Sequence, residues 1–341
     1  MSAYNVAAYL DEAVRSILDQ TFRDFEFIII DDGSTDATAS ILKRYAALDS
    51  RIQVYRQEKN QGMISALNRG CRLARGQYIA RMDADDVSLS GRLERQLQYI
   101  DQHPQIGILG TWIYNMDQNG SVKTAWCPPT NPKMLRWTNF FGVCVSHSAV
   151  LMRREVIEKL EFYRPGMAHV EDVDLWLRAS SITEFGNVPE ILIKYRVWSA
   201  STHQVGLQTR RERHVQLLAS HIKDLLKVEP AIEAVAGLRQ TRVGPPPENL
   251  RKIRLTAALI QQLYGTFVKK NNLTSEERRE ISWDAAKKVA SLALQASRFD
   301  ARTSVSLLMQ ALQLDHRLLQ PSAIMKGLQR TLKHTAVEES A

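Results

Sequence analysis

The sequence predicts an α/β domain built on a mostly parallel sheet with flanking helices, followed by an all-helical extension. Three observations carry this reading. Short apolar runs alternate with amphipathic stretches from residue 6 to residue 202, the order that yields parallel strands joined by helices. Two of those runs end in dense acidic clusters, and ligands of such sheets gather outside the carboxyl ends of the strands. Beyond residue 201 the strand signals stop while helical periodicity continues.

The elements follow in order. Residues 8–20 carry Leu10, Val14, Ile17 and Leu18 on one side, which predicts an amphipathic helix. Residues 25–30 are apolar and rich in isoleucine, as in a strand buried on both faces. A helix over 37–48, a strand over 52–55, a helix over 63–74 and a strand over 78–82 come next, and residues 87–100 read as a further helix. Residues 111–146 give no readable chemistry, although Trp112, Trp126 and Trp137 could stack on sugar faces or pack in the core. In the extension, helices are expected over 209–226, 250–270, 275–296 and 301–319, with Gly244-Pro245-Pro246-Pro247 as a stiff break. Thr274 and Glu277 have capping-box spacing. The division expected is a domain over 1–204 and a basic helical extension over 205–341.

Bulk properties narrow the function. With 341 residues, 44% hydrophobic and 24% charged, the chain suits one large domain plus an appendage and can build its own core. Its three cysteines, Cys71, Cys127 and Cys144, have neither paired nor metal-ligand spacing, which points to a reducing compartment. The opening residues lack the basic start of a signal peptide, and no uncharged apolar run is long enough to cross a bilayer. A cytoplasmic protein is expected. Residues 1–204 hold 23 basic and 24 acidic side chains, the remainder 22 and 13. The basicity of the tail is either a set of solvated helix faces or an attraction to an anionic membrane, placing the protein at its inner face. No nucleic acid is expected, because no binding motif accompanies the charge.

Three clusters can carry chemistry. Asp31-Asp32-Gly33-Ser34-Thr35-Asp36 follows the strand at 25–30. Adjacent carboxylates at a strand end can accept hydrogen bonds from a base and a ribose, Gly33 permits a sharp turn, and Ser34, Thr35 or Asp36 can cap the next helix. Capping alone leaves the crowding of Asp31 and Asp32 without a reason. Asp83-Ala84-Asp85-Asp86 follows the strand at 78–82. Three carboxylates so close repel one another, and a divalent cation relieves that repulsion. Hard oxygen ligands suit Mg²⁺ or Mn²⁺ held jointly with substrate phosphates. A plain acidic turn with a helix cap is the alternative. The third cluster, Glu171-Asp172 before Val173-Asp174-Leu175-Trp176, is either an acidic pair favoured by a helix dipole or the source of a general base for an acceptor hydroxyl.

Together these residues resemble glycosyltransferase family two, an inverting family with the Rossmann-like GT-A fold, over residues 4–202. The resemblance rests on Tyr4-Asn5, Tyr9-Leu10, Gln20-Thr21-Phe22, the Asp31–Asp36 cluster, Asn60-x-Gly62, Asn68-x-Gly70 and Gly76-x-Tyr78-Ile79. It continues through Arg81-Met82-Asp83-Ala84-Asp85-Asp86 with its Asp-x-Asp, His147-Ser148, Met152-Arg153-Arg154, Glu171-Asp172 with Leu175-Trp176, and Tyr195-Arg196. It implies a transferase that moves a sugar from a nucleotide-diphosphate donor to a hydroxyl of a glycan or lipid-linked acceptor, as in polysaccharide or glycoconjugate synthesis. It further implies that Asp31 or Asp32 binds the base, with Tyr4 and Asn60 beside the donor. Asp83 would contact the ribose and diphosphate region and assist the metal, Asp85 would hold Mg²⁺ or Mn²⁺, and Asp172 would be the base with Glu171 as its neighbour.

The sequence departs from the family in three places. Only Met1-Ser2-Ala3 precede Tyr4 where a full hydrophobic strand is usual, so either a stub replaces it, at a cost in stability, or the start lies upstream. Trp198 stands where His is common, with His203 nearby, and Ser90 stands where Pro is common. Two other classes share some of these features. A metal-dependent phosphatase or nucleotidyltransferase also uses an Asp-x-Asp, and a non-catalytic adaptor could keep a sugar-nucleotide domain beside a working basic tail.

Overall fold

A computed structural model describes residues 1–197, 207–241 and 249–319. The chain separates into two units, Met1–Asn139 with Val143–Leu217, and Phe140–Gly142 with the chain from Leu218 onward.

The first unit opens with β1 (Ser2–Ala3), α1 (Ala7–Leu18), β2 (Phe27–Asp31), α2 (Thr38–Leu48) and β3 (Ile52–Arg56). In α1, Leu10, Ala13, Val14 and Ile17 are buried, the spacing that lines one face of a helix. All five residues of β2 are buried, as a strand covered on both faces requires. The strands run parallel in the order β1-β2-β3. The expected stub is therefore a real strand. The Met1 amino group donates to the Ile28 carbonyl at 2.9 Å, Ile30 N donates to Met1 O and Asp32 N to Ala3 O at 2.9 Å each, and Ser2 bridges in parallel to Asp83. Two residues thus carry the ladder between β2 and the next part of the sheet.

After α3 (Met63–Leu73), the chain forms β4 (Tyr78–Ala80), β5 (Val87–Ser88), α4 (Arg92–Gln102), β6 (Ile106–Met116), β7 (Val122–Trp126), α5 (Pro132–Thr138), β8 (Leu151–Arg153), α6 (Arg154–Lys159), α7 (Glu171–Ala179) and β9 (Glu184–Arg196). These strands make a sheet of order β4-β8-β6-β9-β5, with β7 on β6. The long β6–β9 ladder is parallel, while β4–β8, β6–β8, β5–β9 and β6–β7 are antiparallel. The three-stranded sheet is thus parallel and the six-stranded one mixed, and the bridge from Ser2 to Asp83 links them.

The helix expected over 87–100 needs correction. Val87 and Ser88 form a strand paired with Lys194 and Ile193, and α4 starts only at Arg92. Buried Gln20 fixes the intervening turn, donating to Leu89 O at 2.8 Å and accepting from Leu93 N at 3.0 Å. Of the tryptophans, Trp137 is fully buried, Trp112 donates its indole N–H to Pro128 O at 3.0 Å, and Trp126 packs on the β2 core.

The second unit takes the end of α8 (Leu207–Leu226), then α9 (Ile232–Gln240), α10 (Leu250–Lys270), α11 (Ser275–Ala296), α12 (Ala301–Leu314) and a short 3₁₀ turn, His316–Leu319. Its core draws on Ile222, Val235, Leu238, Ile253, Ile260, Leu263, Ile281, Val289, Leu292 and Leu307. The expected capping box is formed. Glu277 N donates to Thr274 Oγ1 at 3.2 Å and Thr274 N to Glu277 Oε2 at 2.8 Å. Helix α9 is an addition to the sequence reading, and the Gly-Pro break at 244–247 lies outside the described residues. No helix among the described residues is long and apolar enough to cross a membrane.

Candidate active site at the strand ends

The position of β1 assembles the site. On one side Ala3 is in register with Asp31, and on the other Ser2 bridges to Asp83. Clusters some fifty residues apart in sequence therefore flank one two-residue strand.

At the first cluster the carboxylates are buried and engaged. Asp31 Oδ1 accepts from Ser34 N at 2.9 Å, and Oδ2 lies 3.3 Å from Arg56 Nε. Asp32 Oδ1 accepts from Gln61 N at 2.8 Å and from the Gln57 amide, and Oδ2 accepts from Gly62 N at 2.9 Å. Asp32 thus pins the loop that carries Asn60, whose Oδ1 also accepts from Gly62 N at 3.0 Å. Gly33 has φ +73°, and a Cβ there would meet the Lys59 carbonyl carbon at 2.6 Å, so only glycine lets the loop lie this close. Of the three candidate caps Ser34, Thr35 and Asp36, Asp36 bonds the start of α2. Ser34 Oγ accepts from Asn5 N at 3.1 Å and Asp36 Oδ2 from Ala7 N at 3.1 Å. These side chains serve mainly the open amides at the start of α1, and only the 2.9 Å bond from Thr38 N to Asp36 Oδ1 serves α2. Tyr4 is exposed beside them.

At the second cluster, buried Arg81 grips Asp83 with both terminal nitrogens, at 2.6 and 2.7 Å. Burial opposes the Arg81 charge, but Asp83 outweighs it and raises the pKa. Ser148 Oγ accepts from Asp83 N at 3.0 Å. Asp85 is half-buried, and its carbonyl accepts from Arg196 Nε at 2.8 Å. Asp86 is buried and accepts from Arg196 N at 2.7 Å. Burial, then the charges of Asp83 and Asp85, push the Asp86 carboxyl well above the carboxylate range. The same surroundings raise Tyr195, by burial first and then by Asp83, Asp86 and Asp85. Arg196 is buried and also reaches Gln118 O at 3.0 Å and Glu12 Oε2 at 2.5 Å, with its guanidinium 4.5 Å above the Tyr9 ring.

The residues fit a divalent ion shared with a substrate. Among the described residues no three His, Cys, Asp or Glu side chains converge into a ready cage. Yet Asp86 Oδ2 is buried without a hydrogen bond, and the charges of Asp83 and Asp85 add to the cost of ionising it. Mg²⁺ and Mn²⁺ are typically held by one or two carboxylates plus phosphate oxygens, which Asp85 and Asp83 could supply.

The third cluster starts α7. Its N-cap is Val170, with no side-chain cap bond, and Glu171 stands with Asp172 in the first turn, where the helix dipole favours acids. Its side chain is buried, with Oε2 unpartnered, and burial together with the Asp172 charge raises its pKa to about 7. Asp172 is half-buried, and its Oδ1 accepts from Val173 N at 2.8 Å. The charges of Arg81 and Asp83 both reach Glu171, so this cluster belongs to the same place as the second. Behind it, His147 Nε2 and the Tyr163 hydroxyl are 2.8 Å apart. Burial, then Arg81, holds His147 well below its ordinary range.

The structure thus brings the clusters of Asp31 and Asp83 together beside β1, with Glu171 within electrostatic reach of Asp83. Trp198 and His203 lie outside the described residues. Arg81 and Arg196 received no role from the sequence. Arg81 could have been found from the strand period, since side chains two apart share a face, whereas Arg196 was marked only by the Tyr195-Arg196 pair, which gave it no role.

Comparison with known proteins gives the chemistry its class. The family model described as glycosyl transferase family 2 matches residues 1–161. The chain is 36% identical over 211 residues to the O-antigen biosynthesis glycosyltransferase WbnJ of Escherichia coli, covering 61% of this chain and 82% of that one. It is 41% identical over 198 residues to the putative teichuronic acid biosynthesis glycosyltransferase TuaG of Bacillus subtilis, covering 57% and 76%. Among solved structures, S. aureus TarS 1–349 in complex with UDP-GlcNAc superposes with a TM-score of 0.55 at 16% identity, over 94% of this chain and 90% of that one. The fold is therefore the GT-A fold with a helical C-terminal region, and the phosphatase and nucleotidyltransferase alternatives give way. The chain belongs to glycosyl transferase family 2 and is a nucleotide-sugar-dependent glycosyltransferase.

Proposed function

We propose that this enzyme transfers a sugar in one inverting displacement, with the donor diphosphate at the strand ends beside β1 and the acceptor facing α7. The observation that carries this reading is the placement of Asp31 and Asp83 on either side of β1. TarS, of the same fold, has been crystallised with UDP-GlcNAc, which supports a nucleotide-sugar donor. The names of the relatives, O-antigen and teichuronic acid biosynthesis, support a cell-surface glycan or its lipid-linked precursor as acceptor.

In this reading Asp31 and Asp32 position the base end of the donor, with Tyr4 and Asn60 beside it. Asp32 does so by holding the loop at 60–62 through the backbone amides of Gln61 and Gly62. Asp83, gripped by Arg81, orients the ribose and diphosphate. Asp85 is the main protein ligand for Mg²⁺ or Mn²⁺, with Asp83 assisting. A divalent ion there supplies positive charge against that building on the departing diphosphate. Asp172 accepts the proton of the acceptor hydroxyl as it attacks the anomeric carbon. A single displacement needs no carboxylate nucleophile, and none is assigned. The catalytic unit ends and the basic extension begins near residue 204, and the extension holds the enzyme peripherally on an anionic membrane at its cytoplasmic face.

Release of nucleoside diphosphate from a panel of sugar nucleotides, with and without Mn²⁺, tests the reading. Asp85→Ala should remove the metal dependence of donor binding while the protein stays folded. Turnover by Asp85→Ala at the wild-type rate in chelator would show that the reaction needs no metal and that the assignment is wrong. An absence of release from every donor would favour the adaptor instead.

A further inference from the structure

The last helical hairpin of the second unit carries an apolar surface that the core does not explain. Exposed large hydrophobic residues of the first unit, such as Leu48, Val122 and Ile182, stand singly on separate elements, as is normal for a soluble surface. In the hairpin of α11 and α12 they concentrate. Leu294, Phe299, Val305, Leu308 and Met309 are all exposed, with Val305 at 62% and Met309 at 56%. On α12, Val305, Leu308 and Met309 fall at spacings of three and four, the spacing of one helix face. Ser304 Oγ donates to Ala293 O at 2.8 Å, which sets α12 against the α11 segment that bears Leu294. The opposite side of α12, with Thr303, Leu307 and Ala311, is the buried one.

The rim of this surface is cationic. Arg298 in the turn and Arg302 on the first turn of α12 are exposed, and neither forms an ion pair among the described residues. Lys287, exposed one helical stripe along α11 from Leu294, stands 5.6 Å from the centre of the half-buried Trp283 ring. The acids nearby are engaged. Asp300 accepts from Thr303 N at 2.9 Å and lies 3.5 Å from Arg254. Asp284 pairs with Lys288 at 2.5 Å.

We infer that this face of α11 and α12 is the surface by which the enzyme lies on an anionic lipid bilayer, with the aliphatic stripe among the acyl chains and the cationic rim at the phosphates. The inference rests on the membrane reading of the basic extension and assigns it a place. An apolar helix face edged by arginine and lysine matches the gradient from acyl chain to anionic headgroup.

Flotation of the full chain with phosphatidylglycerol and with phosphatidylcholine vesicles tests this, using Val305→Glu with Met309→Glu, and separately Arg298→Glu with Arg302→Glu. Both pairs are at exposed positions, and thermal unfolding followed by helical circular dichroism reports that the second unit keeps its fold. The expected result is binding to the anionic vesicles only, with each double variant weakening it by about tenfold or more. A wild-type chain that ignores anionic vesicles would overturn the membrane reading itself. A wild type that binds, with a Val305/Met309 variant that binds equally, would overturn only the surface assigned here. A Val305/Met309 variant that turns a dimer into a monomer without changing vesicle binding would make the face a self-association surface and overturn the inference.

Discussion

Glu171 and Asp172 are neighbours in sequence with opposite environments, and that contrast makes their roles separable. Asp172 is half-buried, whereas Glu171 is buried with one oxygen unpartnered and a pKa near 7. General-base assistance is worth roughly 10²–10⁴-fold, so Asp172→Asn should lower the transfer rate by about that factor and leave donor affinity unchanged. Glu171→Gln should harm the rate less. A dead Glu171→Gln enzyme beside a near-normal Asp172→Asn enzyme would reverse the assignment. Glu171 also makes a stability prediction. Its folded pKa is raised from the ordinary 4.5, so the folded state favours the protonated form. That contribution is complete below pH 4.5 and is lost as pH rises through about 7. Glu171→Gln should therefore match wild type in acid and gain stability relative to it above neutrality, by a few kcal/mol at most. Thermal unfolding of both proteins across that range checks the sign. Arg196 is a positioning residue in the same sense, joining the Asp85 carbonyl, the Asp86 carboxylate and Glu12 from one guanidinium and its own amide. Arg196→Lys keeps the charge but loses the planar fork, and should weaken Mn²⁺ binding in the presence of nucleoside diphosphate by about 10–100-fold, as read by calorimetry.

Turns and strands decide how those residues meet. Gly33→Ala should be worse than a surface change of one methyl, because its φ of +73° is disfavoured for alanine and the new Cβ would sit 2.6 Å from the Lys59 carbonyl carbon. A cost of about 1–3 kcal/mol is expected, with donor affinity falling as the loop held by Asp32 is displaced. Denaturant unfolding and donor titration measure the two effects, and an unchanged midpoint would show that the loop gives way freely. What the sequence revealed and concealed follows the range of the forces involved. Helices α1, α3, α10 and α11 and strand β2 carry their pattern within their own residues, and they were legible. Strand β5 was read as helix because its identity comes from β9, about a hundred residues on. Helix α9, only nine residues long, gave too few turns for its period to register. The acidic clusters were legible as residues, but Asp31 and Asp83 being neighbours across β1 was not, since that depends on register in a strand of two residues. The engagement of Asp32 with Gln61 and Gly62 was hidden for the same reason.

At the scale of the whole molecule, two units with separate cores and different charge should respond differently to ligand. Every residue assigned to donor, metal and base belongs to the first unit, and the cationic apolar face belongs to the second. The donor residues occupy strand ends and loops of the first unit, so binding should stabilise that unit without touching the core of α9–α12. Bound ligand adds about 2.7 kcal/mol when its free concentration is a hundred times its dissociation constant. If the units unfold as independent transitions, calorimetry of the full chain should resolve two of them. A nucleotide sugar with Mn²⁺ should then raise the midpoint of one and leave the other in place. Anionic vesicles should do the converse, acting on the transition that the donor leaves alone, and their effect should fade with salt because exposed charges are screened within about 8–10 Å at physiological ionic strength. A single transition that moves as a whole with donor would show instead that the two cores fold as one cooperative body, and the catalytic and membrane roles would then have to be separated by point substitutions alone.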